Sequence, residues 1–324
     1  MATCRKDQVD RETPGYYHLI SRCVRRAFLC GEDELTGKSF EHRRQWIEDR
    51  IIELADVFAI EVYAYAVMHN HYHLVVYSKP LAPQKWTNQD VAERWLKAFP
   101  GKLNDPKFEQ QRQLRLQAII NDEVLQKEYR ERLGNLSWLM KCINEPIAKS
   151  SNAEDSVKGH FWEARFTSQA LLDESSAPAC MAYVDLNPIR AGISDCIEKS
   201  EHTSIKKRVN KLTKRQLKQS VKAMAGQVKE RTMVIKLEDY VLLVEWTGKA
   251  IAHPDKAVMP AEVASVLTRL NINHTQWTRQ ITSYGSNYFR FVGCWHKIQA
   301  KTEEINQHWI QGKRNIQKLF CLPI

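Results

Sequence analysis

The stretch from Glu61 to Ser78, EVYAYAVMHNHYHLVVYS, constrains the fold more than any other. Two runs of aromatic and β-branched residues flank His69-Asn70, and Asn tolerates turn backbone angles. The pattern therefore predicts two antiparallel strands joined by a tight hairpin. His69, His71 and His73 recur in it at alternate positions. Because side chains in a strand repeat every two residues, His71 and His73 project from one face, about 6.5–7 Å apart at Cα, and can converge on one metal ion. His69 shares their phase but lies at the turn, where the backbone can send it elsewhere. An isolated His-x-His is more often a pair of satisfied surface or core histidines than a metal site, so the motif by itself is weak.

The flanking segments supply an architecture. GYYHLISRCV (15–24) follows a Pro-Gly turn and reads as a first strand, and Ser39 to Phe58 carries one broad apolar face of an amphipathic helix. Residues 79–134 change character, with KPLAPQ, FPGKLNDPK and a charged helical pattern, and read as a helical insertion. A helix follows from about Asn135 to Ser150, then a strand pair in GHFWEARFTSQALL (159–172). A further helix runs from about Ser175 and ends near Asn187, because Pro188 disfavours helical geometry in the residue before it. The class expected is α+β: an antiparallel sheet with packed helices over residues 1–200, then a basic, mostly helical region over 201–324.

Composition bounds the setting. No apolar run approaches the roughly 18 residues needed to cross a bilayer, and the first residues show no signal-peptide stretch, so a soluble cytoplasmic protein without a membrane partner is expected. The eight cysteines form no C-x-x-C pair and read as reduced thiols. The net charge of +10 is concentrated: between Thr203 and Arg231 stand ten Lys or Arg against Glu230 alone, a local excess of +9. Such a run either neutralises the phosphates of a nucleic acid or is a solvated basic surface.

A second motif changes the weight of the histidines. In AYVDLNPIRAGI (182–193), Tyr183 and Asn187 are spaced i, i+4 on the last turns of a helix and face the same way. Asn187 can offer an amide oxygen to a metal and Tyr183 a phenolic nucleophile, although a helical Tyr is more often packed than catalytic.

Together, HYHLVV after Met68 and Asn70, GHFWEARF, and YVDLNPIRAGI resemble the HUH single-tyrosine transposases, most closely the REP-associated tyrosine transposases of bacteria. The resemblance covers about residues 12–200 without the insertion. It implies a ferredoxin-like antiparallel sheet presenting His71 and His73, Tyr183 as nucleophile, and Asn187 as a third metal ligand from the tyrosine helix. It further implies Mg²⁺ or Mn²⁺ as cofactor and single-stranded or hairpin DNA as partner. The implied reaction is cleavage through a 5′-phosphotyrosine and a free 3′-hydroxyl, followed by strand transfer. Three departures stand out: His69 where a proline is usual, a longer insertion, and a much longer tail. The last two leave DNA geometry, and the choice between monomer and homodimer, open.

By the same resemblance Arg22 and Arg165 fall near DNA, and Arg190 follows the tyrosine helix; each can equally be a surface ion-pair partner. In the basic run a helical reading places Ile205, Val209 and Leu212 on an anchored side and leaves Lys206, Lys207, Lys211, Lys214 and Lys218 for phosphates, so the tail is expected to strengthen DNA binding without performing chemistry. The expected function is a metal-dependent single-strand DNA endonuclease and strand transferase. The alternative is a domesticated, non-catalytic protein that binds structured DNA; an intact His71, His73, Tyr183 and Asn187 set favours the enzyme.

Overall fold

Residues rich in β-branched and aromatic side chains condense into one sheet. A computed structural model describes residues 8–24, 29–33, 37–100, 105–210, 213–226, 232–287, 290–307 and 313–320. In it β1 (Gly15–Arg22), β2 (Ile60–Val67), β3 (His71–Ser78) and β4 (Thr167–Leu171) pair antiparallel in the order β2-β3-β1-β4. The hairpin expected at His69-Asn70 is present, closed by the Met68 amide donating to the His71 carbonyl at 2.8 Å. α1 (His42–Ala55) links β1 to β2. The insertion supplies α2 (Asn88–Ala98), α3 (Glu109–Asn121) and α4 (Glu123–Leu133), and α5 (Leu136–Glu154) then leads into β4. Strand order and connections make this the split βαβ, ferredoxin-like arrangement, and the class is α+β.

α1 and α5 cover one face. The Tyr72 hydroxyl donates to Asn144 Oδ1 of α5 at 2.7 Å, and the Tyr65 hydroxyl to Glu48 Oε1 of α1 at 3.3 Å. Side chains one residue out of phase point to the opposite face, where α6 (Ser176–Asp185) lies. Every residue of α6 is buried, as a helix held between two layers requires, and its Ala177, Ala179, Cys180 and Ala182 are small enough to sit close to the sheet.

One expectation is corrected. The strand pair in 159–172 is a single strand: only β4 pairs regularly, while Cys23 and Trp162 form an isolated bridge. The rings that suggested a strand pack edge to face on each other, Phe161 in the core and Trp162 held by its indole N–H donating to the Asn144 carbonyl at 2.9 Å. The helix expected to end near Asn187 stops close to that point, and a separate short turn follows. α6 ends at Asp185, and α7 (Asn187–Arg190) begins with Pro188 in its first turn, where a missing N–H leaves no bond unmade.

The region after 200 holds α8 (Ser204–Val209), α9 (Lys214–Leu217), α10 (Leu237–Ala252), α11 (Ala261–Arg269), α12 (Trp277–Thr282), α13 (Tyr284–Asn287), α14 (Trp295–Glu304) and α15 (Lys313–Leu319). It also forms three strands that no sequence pattern announced: β5 (Ser220–Lys222) and β6 (Thr232–Lys236) as a ribbon, and β7 (Phe291–Val292), which joins β4 in parallel. The far edge of β2 is covered as well: the Val67 amide donates to the His202 carbonyl at 3.1 Å and the Val62 amide to the Ala225 carbonyl at 2.9 Å, so both outer strands of the ferredoxin-like core are paired. Asp185, at the end of α6, is fully buried and accepts from the Ile205 amide at 2.9 Å, the Tyr240 hydroxyl at 2.5 Å and the Ser204 hydroxyl. Burial pushes its carboxyl up to about 6 against the pull of those bonds. Cys23, Cys30, Cys142, Cys180, Cys196 and Cys294 are not joined in disulfides, and Cys4 and Cys321 lie outside the described residues. No described helix is long and apolar enough to cross a membrane.

Candidate functional site

Register gathers the polar side chains under α6. Arg22 stands opposite His71, Ile20 opposite both His73 and Thr167, and His18 opposite Gln169. Directly opposed residues of antiparallel strands share a face, so His18, Arg22, His71, His73, Thr167 and Gln169 all point to the side that carries Tyr183. His69 leaves the row. Its ring packs on Gly31, where φ is +109° and an added Cβ would lie 2.9 Å from the imidazole Cδ2.

His71 and His73 meet edge to face with centroids 4.8 Å apart. On the other side His73 stacks on His18 at 5.1 Å, with His18 Nε2 and His73 Nδ1 separated by 2.9 Å and His18 Nδ1 lying 3.0 Å from Gln169 Oε1. His73 Nε2 is buried and has no hydrogen-bond partner. His71 Nδ1 lies 2.5 Å from the side-chain oxygen of Asn70. That oxygen only accepts, so His71 donates from Nδ1 and keeps its lone pair on Nε2. Burial drives His18 and His71 down to about 4 and His73 well below its usual value. The Arg22 cation adds to the shift at His71, and the Gln169 hydrogen bond opposes it at His18. The imidazoles are therefore neutral at neutral pH, the state in which they bind metals.

Tyr183 stands over these rings. It is edge-on to His73 at 5.6 Å and to His18 at 5.9 Å, and is 6% exposed. Tyr284 stacks on it at 4.6 Å, and the Arg190 guanidinium lies 4.6 Å from its centroid, in cation–π range. A Cβ at Gly285 would come within 2.7 Å of the Tyr183 hydroxyl, so only glycine leaves room for it there. Asn187 is buried beside this group. Its Nδ2 donates to the Tyr183 carbonyl at 3.1 Å, and its Oδ1 accepts from Arg190 Nη1 at 3.1 Å. Arg190 Nη2 donates in turn to the Thr282 carbonyl at 2.7 Å. Among the described residues no group of three or more His, Cys, Asp or Glu is gathered as a metal cage. The donors available here are two imidazoles and, next to Tyr183, an amide oxygen already bonded to Arg190.

A cavity of about 410 Å³ opens beside His18 and Gln169, with Arg22, Glu163, Arg165, Tyr284 and Gly285 among its walls. A larger one, about 560 Å³, is walled by Arg11, by Glu128 and Arg132 of the insertion and by Trp138 of α5, and none of the imidazoles lines it. The basic run sits elsewhere. α8 runs beside β2, where Lys207 pairs with buried Glu48 and Lys206 pairs with Glu201. Lys214 and Lys218 are exposed, Ile205 is buried as an anchor, and Lys211 and Leu212 lie outside the described residues.

Four residues of the site escaped the sequence reading: His18, Gln169, Tyr284 and Gly285. For His18 a signal existed, since it shares the strand phase of Arg22; the others come from segments whose approach no local pattern encodes.

Neither the family models nor the curated proteins searched match this chain. Among solved structures, a REP-associated tyrosine transposase bound to a REP hairpin aligns over 65% of this chain and 87% of its own, at 13% identity and a TM-score of 0.39.

Proposed function

We propose that the protein is a metal-dependent single-strand DNA endonuclease and strand transferase in which Tyr183 is the nucleophile. The observation that carries this reading is the convergence of a phenol and two neutral, buried imidazoles: Tyr183 lies edge-on to His73, His73 lies against His71, and His73 Nε2 has no partner. The donors fit a divalent cation, because each imidazole has its Nδ1 engaged and its Nε2 open. His71 and His73 would hold Mg²⁺ or Mn²⁺, with Asn187 as a third ligand once its oxygen turns from Arg190. When bound, the ion would polarise a phosphodiester.

The remaining work falls to side chains of the chain itself. The Tyr183 oxygen attacks phosphorus; the tyrosyl O–P bond forms as the bond to the 3′-oxygen breaks, and the proton lost by the phenol is balanced by the one taken up by the departing 3′-oxygen, leaving a 5′-phosphotyrosine and a free 3′-hydroxyl. The Arg190 guanidinium braces the ring from one side, 4.6 Å from its centroid. Arg22 and Arg165 give the cavity wall positive charge where a strand would lie, and Lys214 and Lys218 add phosphate contacts at a distance from the chemistry.

The test is incubation of the full chain with hairpin oligonucleotides carrying single-stranded flanks and Mg²⁺ or Mn²⁺. A protein–DNA adduct that survives denaturation and maps to Tyr183 is the expected product. Tight hairpin binding with no adduct in either metal would leave the non-catalytic DNA-binding reading, which the cover of Tyr284 and Gly285 over Tyr183 favours.

A further inference from the structure

The imidazole that carries most of the proposal above, His73, is held from behind. Gln169 Oε1 lies 3.0 Å from His18 Nδ1, and a carbonyl oxygen can only accept, so His18 must carry its proton on Nδ1. A neutral His18 then has only a lone pair on Nε2. That atom lies 2.9 Å from His73 Nδ1, so the hydrogen between them belongs to His73. A neutral His73 that donates from Nδ1 has no hydrogen left for Nε2, the buried nitrogen without a partner. Each bond in the series dictates the next.

We propose that Gln169 and His18 are positioning residues that lock His73 in the Nδ1–H tautomer and keep its Nε2 open as a ligand. The proposal rests on the metal-dependent reading above. Both residues belong to strands flanking the site, β4 and β1, and both side chains are buried. His18 itself is not a ligand in this scheme, since both its nitrogens are engaged. Outer partners of this kind fix ring orientation and raise the basicity of the bound nitrogen, and their loss typically costs about 10–100-fold in metal affinity.

Two measurements decide it. Long-range ¹⁵N–¹H correlation spectra of the metal-free full chain report which nitrogen of each histidine is protonated, with no variant needed. His18 and His73 are both expected as Nδ1–H; an Nε2–H tautomer at His73 overturns the relay whatever the protein catalyses. Mn²⁺ affinity, followed by the electron paramagnetic resonance of the free ion, is then compared among folded variants. Gln169→Met, which removes the acceptor at similar size, should weaken binding about tenfold, and Gln169→Glu, which still accepts, should restore most of it. Equal affinity for Gln169→Met and the unaltered chain removes Gln169 from the scheme, even if His71→Ala and His73→Ala both abolish binding. Absence of Mn²⁺ binding by the unaltered chain, or binding indifferent to His71 and His73, instead overturns the metal reading and with it the purpose of the relay.

Discussion

The ring of Tyr284 lies on the ring of Tyr183 with centroids 4.6 Å apart and planes 24° from parallel, and the neighbouring Gly285 faces the Tyr183 hydroxyl. A residue about a hundred positions downstream thus forms one wall around the proposed nucleophile. Gly285→Ala would place a methyl 2.7 Å from the phenolic oxygen. Overpacking of this kind costs about 1–3 kcal/mol. In the Tyr183→Phe background the oxygen is gone and the same substitution should be neutral or stabilising, by up to about 1 kcal/mol from helix propensity. Urea unfolding of the two single variants and the double variant measures the coupling. Additive effects would mean that the two groups do not meet.

Tyr183→Phe by itself should abolish the covalent adduct and change hairpin affinity less than about twofold, because only the nucleophilic oxygen is removed. Denaturing electrophoresis of labelled oligonucleotide and a binding titration give the two numbers. An adduct persisting in this variant would take Tyr183 out of the chemistry.

Stability should fall on acidification from about pH 6.5 to 4. His18 and His71 titrate at about 4 in the folded chain against 6.5 ordinarily, and His73 lower still, so across this window the unfolded chain binds protons that the folded one refuses. Stability therefore rises with pH there, each of the first two imidazoles accounting for roughly 3 kcal/mol at about 1.4 kcal/mol per pH unit. Asp185 acts in the opposite sense: held up at about 6 against 3.8, it keeps its proton longer when folded and costs stability as pH rises through that range. One carboxyl does not offset three imidazoles. Removing its titration with Asp185→Asn should steepen the acid loss, and denaturant midpoints at pH 7, 6, 5 and 4 would reveal a shallower loss if the sign were wrong.

Within the basic run the lysines should separate into two classes. Lys214 and Lys218 are exposed, and replacing both with Ala should lower the salt dependence of hairpin binding by up to about 0.7 log unit for each phosphate that is no longer neutralised. Lys207→Ala should act on the fold instead, since it strips a partner from buried Glu48, which otherwise keeps His202 at 2.8 Å and the Tyr65 hydroxyl at 3.3 Å. If Lys207→Ala leaves thermal stability unchanged while reducing the salt slope as the exposed pair does, this division is wrong.

What the sequence made legible follows from how locally each feature is encoded. The β2–β3 hairpin and α1 are written in period-two and period-3.6 patterns within single segments, and Tyr183 with the histidine pair is written in motifs. His18 was visible only as one polar residue in an apolar strand; its role depends on register with β3 and β4, which local periodicity does not contain. Gln169 was obscured because the aromatic residues made the whole of 159–172 resemble a strand pair, whereas only Thr167–Leu171 pairs regularly. β7 is two residues long and carries no pattern, and Tyr284 acquires meaning only from where β7 and α12 leave it.

The pairing of Phe291-Val292 with Ala170-Leu171 also sets an order of events during synthesis. Strands β1 to β4 can associate once residue 171 has left the ribosome, but β4 then waits for some 120 further residues before its outer edge is paired. At about 5–20 residues per second that is an interval of roughly 6–24 seconds. Throughout it the growing chain carries an open strand edge and a tyrosine without its aromatic cover. The wall around Tyr183 closes only after the basic run has already emerged.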